Sequence, residues 1–78
     1  MKLSETGENG SVRVKGLFVN GNMRRRLQDL GIVTGSDVVC VGTSPLGDPR
    51  AYLIKGAVIA IRNREADLIE VEKIEYGQ

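Results

Sequence analysis

The chain has 78 residues, 11 Lys and Arg against 10 Asp and Glu for a formal charge of +1, no His and one Cys. A length of this order makes one small, marginally stable domain that buries about 60% of the surface its unfolded form exposes. Near-neutrality is not the basic excess of a nucleic-acid-binding module. Without His and with a lone thiol, no Ser-His-Asp triad, Cys-His pair, ordinary zinc site or internal disulfide can be assembled, and no enzyme is expected.

The opening MKLSETGENG lacks the apolar run of a secretory signal. The longest apolar stretch, Ala57-Val58-Ile59-Ala60-Ile61, is far shorter than the ~18 residues that span a membrane. A soluble, cytoplasmic chain is expected, and the single Cys fits a reducing compartment. Ile and Val number 15 against 11 Leu and Ala, and 10 glycines are scattered without a repeat. This composition favours short strands joined by tight turns, hence a small barrel.

In chain order, residues 11–19 read as a first strand, with Val12, Val14 and Phe18 on one core-directed face and Arg13 and Lys15 on the other. Gly16 marks a bulge or bend in it. Residues 22–30 read as the one helix, because Met23, Leu27 and Leu30 recur at i, i+4 and i+7. Asn20 and Asn22 both qualify as its N-cap. Gly31 suits the left-handed C′ position, with Ile32 as C″ against Leu27. After a turn at 34–36, residues 37–41 read as a central strand covered on both faces, since Val38 and Cys40 alternate with Val39 and Val41.

Pro45-Leu46-Gly47-Asp48-Pro49 is a stiff loop whose prolines restrict themselves and their predecessors. Residues 51–55 and 57–61 form a tight hairpin about Gly56. A short 3₁₀ turn follows at 63–67. The last strand, 68–74, alternates Ile69 and Val71 with Glu70 and Glu72. Only residues 1–10 and the last few are expected to be loosely tethered.

The ordered set Arg24-Arg25-Arg26-Leu27, Leu30-Gly31-Ile32, Gly35, the Pro-Leu-Gly-Asp-Pro loop, Ile59-Ala60-Ile61-Arg62 with Glu65-Ala66, and Ile69-Glu70-Val71-Glu72 resembles the ferrous iron transport protein A family, FeoA. The resemblance runs from about residue 11 to residue 74 and leaves 1–10 as the least family-like part. It implies a mostly β, SH3-like barrel of about five strands with one inserted helix, forming a single domain over 1–78. It also implies a cytosolic partner of FeoB, a membrane ferrous iron transporter with a cytosolic GTP-binding region. The same fold occurs as the C-terminal domain of iron-dependent repressors.

Two segments are candidates for docking on such a partner. Arg24, Arg25 and Arg26 fan over the helix face opposite its apolar stripe, as a solvated surface or as a dock for acidic groups, to which the planar guanidinium is suited. Leu27, adjoining them, belongs with the core more than with a contact surface. Pro45, Leu46, Gly47, Asp48 and Pro49 would lose little entropy on binding, because the loop is already stiff. Cys40, among valines, reads as a buried inert thiol. Glu65, Asp67, Glu70, Glu72 and Glu75 read as an exposed acidic face rather than a metal cage, so neither metal nor cofactor is expected.

With Phe18, Tyr52 and Tyr76 its only aromatics, the chain lacks the lined groove that Pro-rich peptides need. The rival readings are an iron-responsive regulatory domain and a small nucleic-acid-binding barrel with Arg13, Lys15 and the run Arg24-Arg25-Arg26 on phosphate. No nucleic acid partner is expected, whereas pairing of copies along open strand edges is left open.

Overall fold

The computed structural model describes residues 1–74. Five strands, β1 (Ser11–Leu17), β2 (Asp37–Thr43), β3 (Arg50–Ile54), β4 (Ala57–Ile61) and β5 (Ile69–Lys73), form one sheet in the order β4-β3-β2-β1-β5. Every neighbouring pair is antiparallel. The helix α1 (Gly21–Asp29) is inserted between β1 and β2, and a single helical turn, α2 (Asn63–Ala66), carries the chain from edge strand β4 to edge strand β5. The expected mostly β architecture is therefore present, as an open sheet rather than a closed barrel, and the short turn near 63–67 is α-helical rather than 3₁₀. Glu75 and Tyr76 lie outside the described residues.

The buried face of the sheet runs through Val12, Val14, Val38, Cys40, Tyr52 and Val71, and Leu27 and Ile32 close over it. Two irregularities decide what else faces inward. Between Val14 and Gly16 the pairing of β1 with β5 shifts by one residue. Such a bulge reverses the alternation beyond it. Leu17 and Val19 turn into the core, and Phe18 is left 67% exposed. Phe18 is thus not a core residue, contrary to the simple two-residue period.

The second shift lies between Cys40 and Gly42 on β2. β2 is central in the sheet, as expected, but its second face is not covered: Val39 is half-buried and Val41 exposed. Arg13 and Lys15 project outward, paired with Asp37 at 3.0 Å and Glu72 at 3.8 Å.

Helix α1 takes Asn20 as its N-cap. Its end is a Schellman motif: the Gly31 N–H donates to the Gln28 carbonyl and the Ile32 N–H to the Leu27 carbonyl, at 3.0 and 2.9 Å. Gly31 supplies the required φ of +102°, and a Cβ there would meet Lys55 Cδ at 3.1 Å and Ile54 Cγ2 at 3.3 Å. Leu27 and Ile32 are buried, but Leu30, as the C-cap, has left the stripe and is exposed. The β3–β4 hairpin closes at Ile54 and Ala57 through Lys55 (φ +50°) and Gly56 (φ +82°), the signature of a type I′ turn.

The first residues are not loosely tethered. Leu3 is fully buried in the core, within a 3₁₀ turn (Leu3–Glu5). The Arg50 guanidinium donates to the Thr6 carbonyl at 2.7 Å, and the Ser4 hydroxyl donates to the Asp67 carboxylate. Lys2 bridges to Glu70 on β5, and the Val71 N–H donates to the Met1 carbonyl at 2.8 Å. The segment covers the edge of β5.

Tyr52 lies beneath this segment, fully buried. Burial, reinforced by neighbouring Cys40, pushes its hydroxyl up from 10.0 to about 12. The folded state therefore holds this proton more tightly than the unfolded chain does. The corresponding stability is intact below pH 10 and is lost as pH rises towards 12. Urea midpoints measured across that range should fall in the wild type and fall less in Tyr52→Phe. Parallel decline in the two proteins would exclude Tyr52 as the cause.

Candidate docking face

The three consecutive arginines of α1 have different surroundings. Arg24 is half-buried, and its Nη1 donates to the Leu17 carbonyl at 2.7 Å, tying the helix to the end of β1. Arg25 and Arg26 are exposed, and neither has an ion-pair partner among the described residues. Leu27 is only 2% exposed and anchors the helix from below. The exposed side of α1 therefore presents Arg25 and Arg26, and Arg24 and Leu27 hold them in place.

The Pro-Leu-Gly-Asp-Pro loop is fastened to α2. The Asn63 backbone N–H donates to the Asp48 carboxylate at 2.9 Å, and the Asn63 side-chain amide donates to the Gly47 carbonyl at 3.1 Å. The Asp48 N–H donates to Ser44 Oγ at 3.0 Å, and the Gly47 N–H to the Ser44 carbonyl at 2.8 Å. Gly47 accepts this turn through a φ of +84°. The peptide before Pro49 is cis. Asp48 is thus consumed in stopping the loop against the first turn of α2. Outward the loop presents Pro45 and a 94% exposed Leu46.

Two adjoining grooves lie where α1, α2 and the ends of the strands meet. The first, about 410 Å³, is lined by Phe18, Val19, Asn20, Met23, Arg64, Glu65 and Leu68. Its floor is apolar and unusually open: Phe18 is 67% and Leu68 44% exposed, and the Phe18 N–H donates to the Leu68 carbonyl at 2.7 Å. The second, about 380 Å³, is lined by Met23, Arg26, Pro49, Ala60, Arg62, Arg64 and Glu65. The grooves share Met23, Arg64 and Glu65.

The tertiary structure therefore brings together Arg26 and Pro49, one residue from each segment singled out in the sequence. Arg25 and Leu46 line neither groove. Of the residues lining the two grooves, sequence reasoning singled out only Arg26 and Pro49 for docking, and Phe18, Leu68, Arg62 and Arg64 are among those it missed. The bulge at Gly16 was the available signal for Phe18. The two arginines flanking Asn63 carried none, since charged surface residues are common.

Apolar side chains beside guanidinium groups are the composition of a protein-docking surface. Arg64 has one carboxylate neighbour, Glu65, at 3.4 Å, and Arg62 has no ion-pair partner among the described residues. The face is thus net basic within a nearly neutral chain. Among the described residues no group of three or more His, Cys, Asp or Glu is placed to hold a metal ion. Cys40 is a buried free thiol. Among the same residues no helix is long and apolar enough to cross a membrane.

Comparison with known proteins places these features in a family. A family model described as the FeoA domain matches residues 1–73. A Fe(2+) transport protein A/Fe(2+) transporter FeoB fusion protein of Porphyromonas gingivalis is 39% identical over 77 residues, which are 95% of this chain and 9% of that relative. The iron(II) transport protein A of Clostridium thermocellum superposes with a TM-score of 0.91 at 42% identity, over 95% of this chain and 46% of that one. The FeoA of Stenotrophomonas maltophilia, solved with zinc and described as a prokaryotic SH3 domain protein, superposes with a TM-score of 0.79 at 32% identity, over 92% and 89% of the two chains. The present chain thus spans a small part of the fusion protein and about half of the clostridial one, and its five-stranded sheet with an inserted helix is SH3-like.

Proposed function

The chain belongs to the FeoA family, and on that premise we propose that it is a cytoplasmic accessory of an FeoB-type ferrous iron transporter. It acts without catalysis of its own, by docking on the transporter's cytosolic GTP-binding region. The observation that carries this is the Porphyromonas gingivalis relative, in which the corresponding domain is part of one polypeptide with the transporter. Covalent linkage of that kind holds two partners at high effective concentration.

In this reading Phe18 and Leu68 are the apolar anchors, and Arg25, Arg26, Arg62 and Arg64 are the charged rim. Pro45, Leu46 and Pro49 extend the contact on the loop side, and Arg24, Leu27, Gly47 and Asp48 position the elements that make it. Any influence on the transporter requires different affinity for its conformations, so the binding strength should change with the bound nucleotide.

Calorimetry against the isolated GTP-binding region tests the surface. Phe18→Ala and Arg26→Glu should each weaken binding by about 2 kcal/mol, or roughly 30-fold. Lys15→Glu, on the outer face of β1, should leave it unchanged. Equal affinity of all four proteins would refute this surface. The Arg26→Glu loss should also shrink at high salt, since the contact it removes is electrostatic.

A further inference from the structure

We infer that the open edge of β4 receives an extended acidic segment of a partner protein as a sixth strand, with Arg26 and Arg62 pairing its carboxylates. This deepens the docking reading and rests on it for the partner's identity, not for the chemistry.

The two edges of the sheet are treated differently. That of β5 is charged, through Glu70, Glu72 and Lys73, and is covered by the first residues through the Lys2–Glu70 bridge and the Met1–Val71 hydrogen bond. That of β4 reads Ala-Val-Ile-Ala-Ile, with no charge, no proline and an unbroken register against β3. Charge, proline, bulges and covering segments are the devices by which exposed edges are normally blocked, and among the described residues β4 has none of them.

Register fixes which backbone groups are free. The hairpin closes at Ile54 and Ala57, and in a hairpin with a two-residue loop the closing pair exchanges its hydrogen bonds. Ala57, Ile59 and Ile61 therefore bond to β3, and Val58 and Ala60 aim their N–H and C=O groups away from it. Val58 is 63% exposed, and Ala60 is exposed and lines the second groove with Arg26 and Arg62. Helix α1 contributes Met23 and Arg26 to the same groove.

A strand laid in this groove would meet backbone donors and acceptors on one side and guanidinium groups on the other. The occupant is acidic because Arg26 and Arg62 have no carboxylate partner among the described residues. A second copy is disfavoured, since pairing β4 with itself would crowd Lys55, Arg62 and Arg26 of both copies along one seam. A Pro-rich ligand is disfavoured because no aromatic side chain among the described residues lines this groove.

The test is an NMR titration of the full chain with a short, end-capped peptide of alternating Glu and Val. The Val58 and Ala60 amides should exchange freely beforehand and slow by about tenfold or more on binding, whereas Ile59 should be protected throughout. Ala60→Pro removes an outward N–H without removing a ladder bond, which an edge strand tolerates. It and Arg26→Glu should each weaken the peptide about tenfold. A peptide methylated on its backbone nitrogens makes the same test from the ligand side should Ala60→Pro not fold.

Unaltered binding of the methylated peptide would reduce the groove to simple charge attraction and overturn strand addition. So would Val58 and Ala60 amides already protected in the free protein, dimerisation through β4 in sedimentation, or no response to the peptide. If the peptide fails while the transporter's GTP-binding region still binds, strand addition alone is wrong. If the peptide binds and that region does not, the docking reading is the one that fails.

Discussion

Leu3→Ala should destabilise the domain by about 2–5 kcal/mol, the range for truncating a large aliphatic side chain in a core. Leu3 is fully buried although it stands third in the chain. It packs in one cluster with Tyr52, whose hydroxyl reaches the Leu3 carbonyl at 3.5 Å. The cavity cannot close easily, because the segment is fastened at Ser4 to Asp67 and at Thr6 to Arg50.

Domains of this size lie at the low end of the usual ~5–15 kcal/mol. At ~4–8 °C per kcal/mol, the melting temperature should drop by about 10 °C or more. Thermal and urea unfolding followed by circular dichroism would measure it, with Glu8→Ala as an exposed control expected within about 0.5 kcal/mol. A Leu3→Ala protein as stable as that control would mean that the segment contributes nothing to the core.

The second large effect is expected at Leu27→Gln. The change deletes a side chain that is 2% exposed and places an amide where only apolar partners are at hand. The transfer and cavity losses, with the unsatisfied amide added, come to about 3–5 kcal/mol. A nine-residue helix is marginal without its packing. Undocking it would displace Arg25 and Arg26 and, on the docking proposal, abolish binding to the GTP-binding region as well.

That loss alone would not separate a packing residue from a contact residue. Leu27→Met does, because it keeps the volume and should cost less than about 1.5 kcal/mol. It should fold and bind like the wild type. A Leu27→Gln protein that is fully folded by circular dichroism yet unable to bind would show that the partner touches Leu27 itself.

Elements whose cause is local were legible before the structure. The end of α1 follows from Gly31 just past its C-cap, and the β3–β4 hairpin from Gly56 between two apolar runs, although the turn also takes in Lys55, which the sequence pattern places in the strand. On β5 Ile69 and Val71 are buried and Glu70 and Glu72 exposed, because the extra residue of the bulge lies on β1 and leaves the alternation of β5 intact. Cys40 among valines was read as buried, and it is.

Phe18 was misplaced for a definite reason. Gly16 announced a bulge, but a bulge is a mismatch of residue count between two strands. Its effect on the faces beyond it depends on where β5 pairs, 52 positions away in the chain by the Leu17–Ile69 pairing. Val41 was given a cover that nothing supplies. Its sequence neighbourhood is that of a buried strand, and only the layout of helix and sheet leaves that face bare. Leu3 lies in no periodic stretch, so nothing near it in sequence announces burial.

The docking face divides along the same line. Arg26 and Pro49 belong to segments conspicuous in the sequence, and they stand together only because Asp48 fastens the loop to α2 while Leu27 seats the helix. What the chain determined by itself was what short-range forces control: the C-terminal end of α1, the place of the β3–β4 turn, the alternation along β5, and a side-chain inventory with no His and one Cys. What only the tertiary structure decided was which residues face outward side by side. Strand register and helix docking are set by contacts between distant segments. One residue of slippage in a strand exchanges its two faces, and here that single step took Phe18 out of the core and onto the surface.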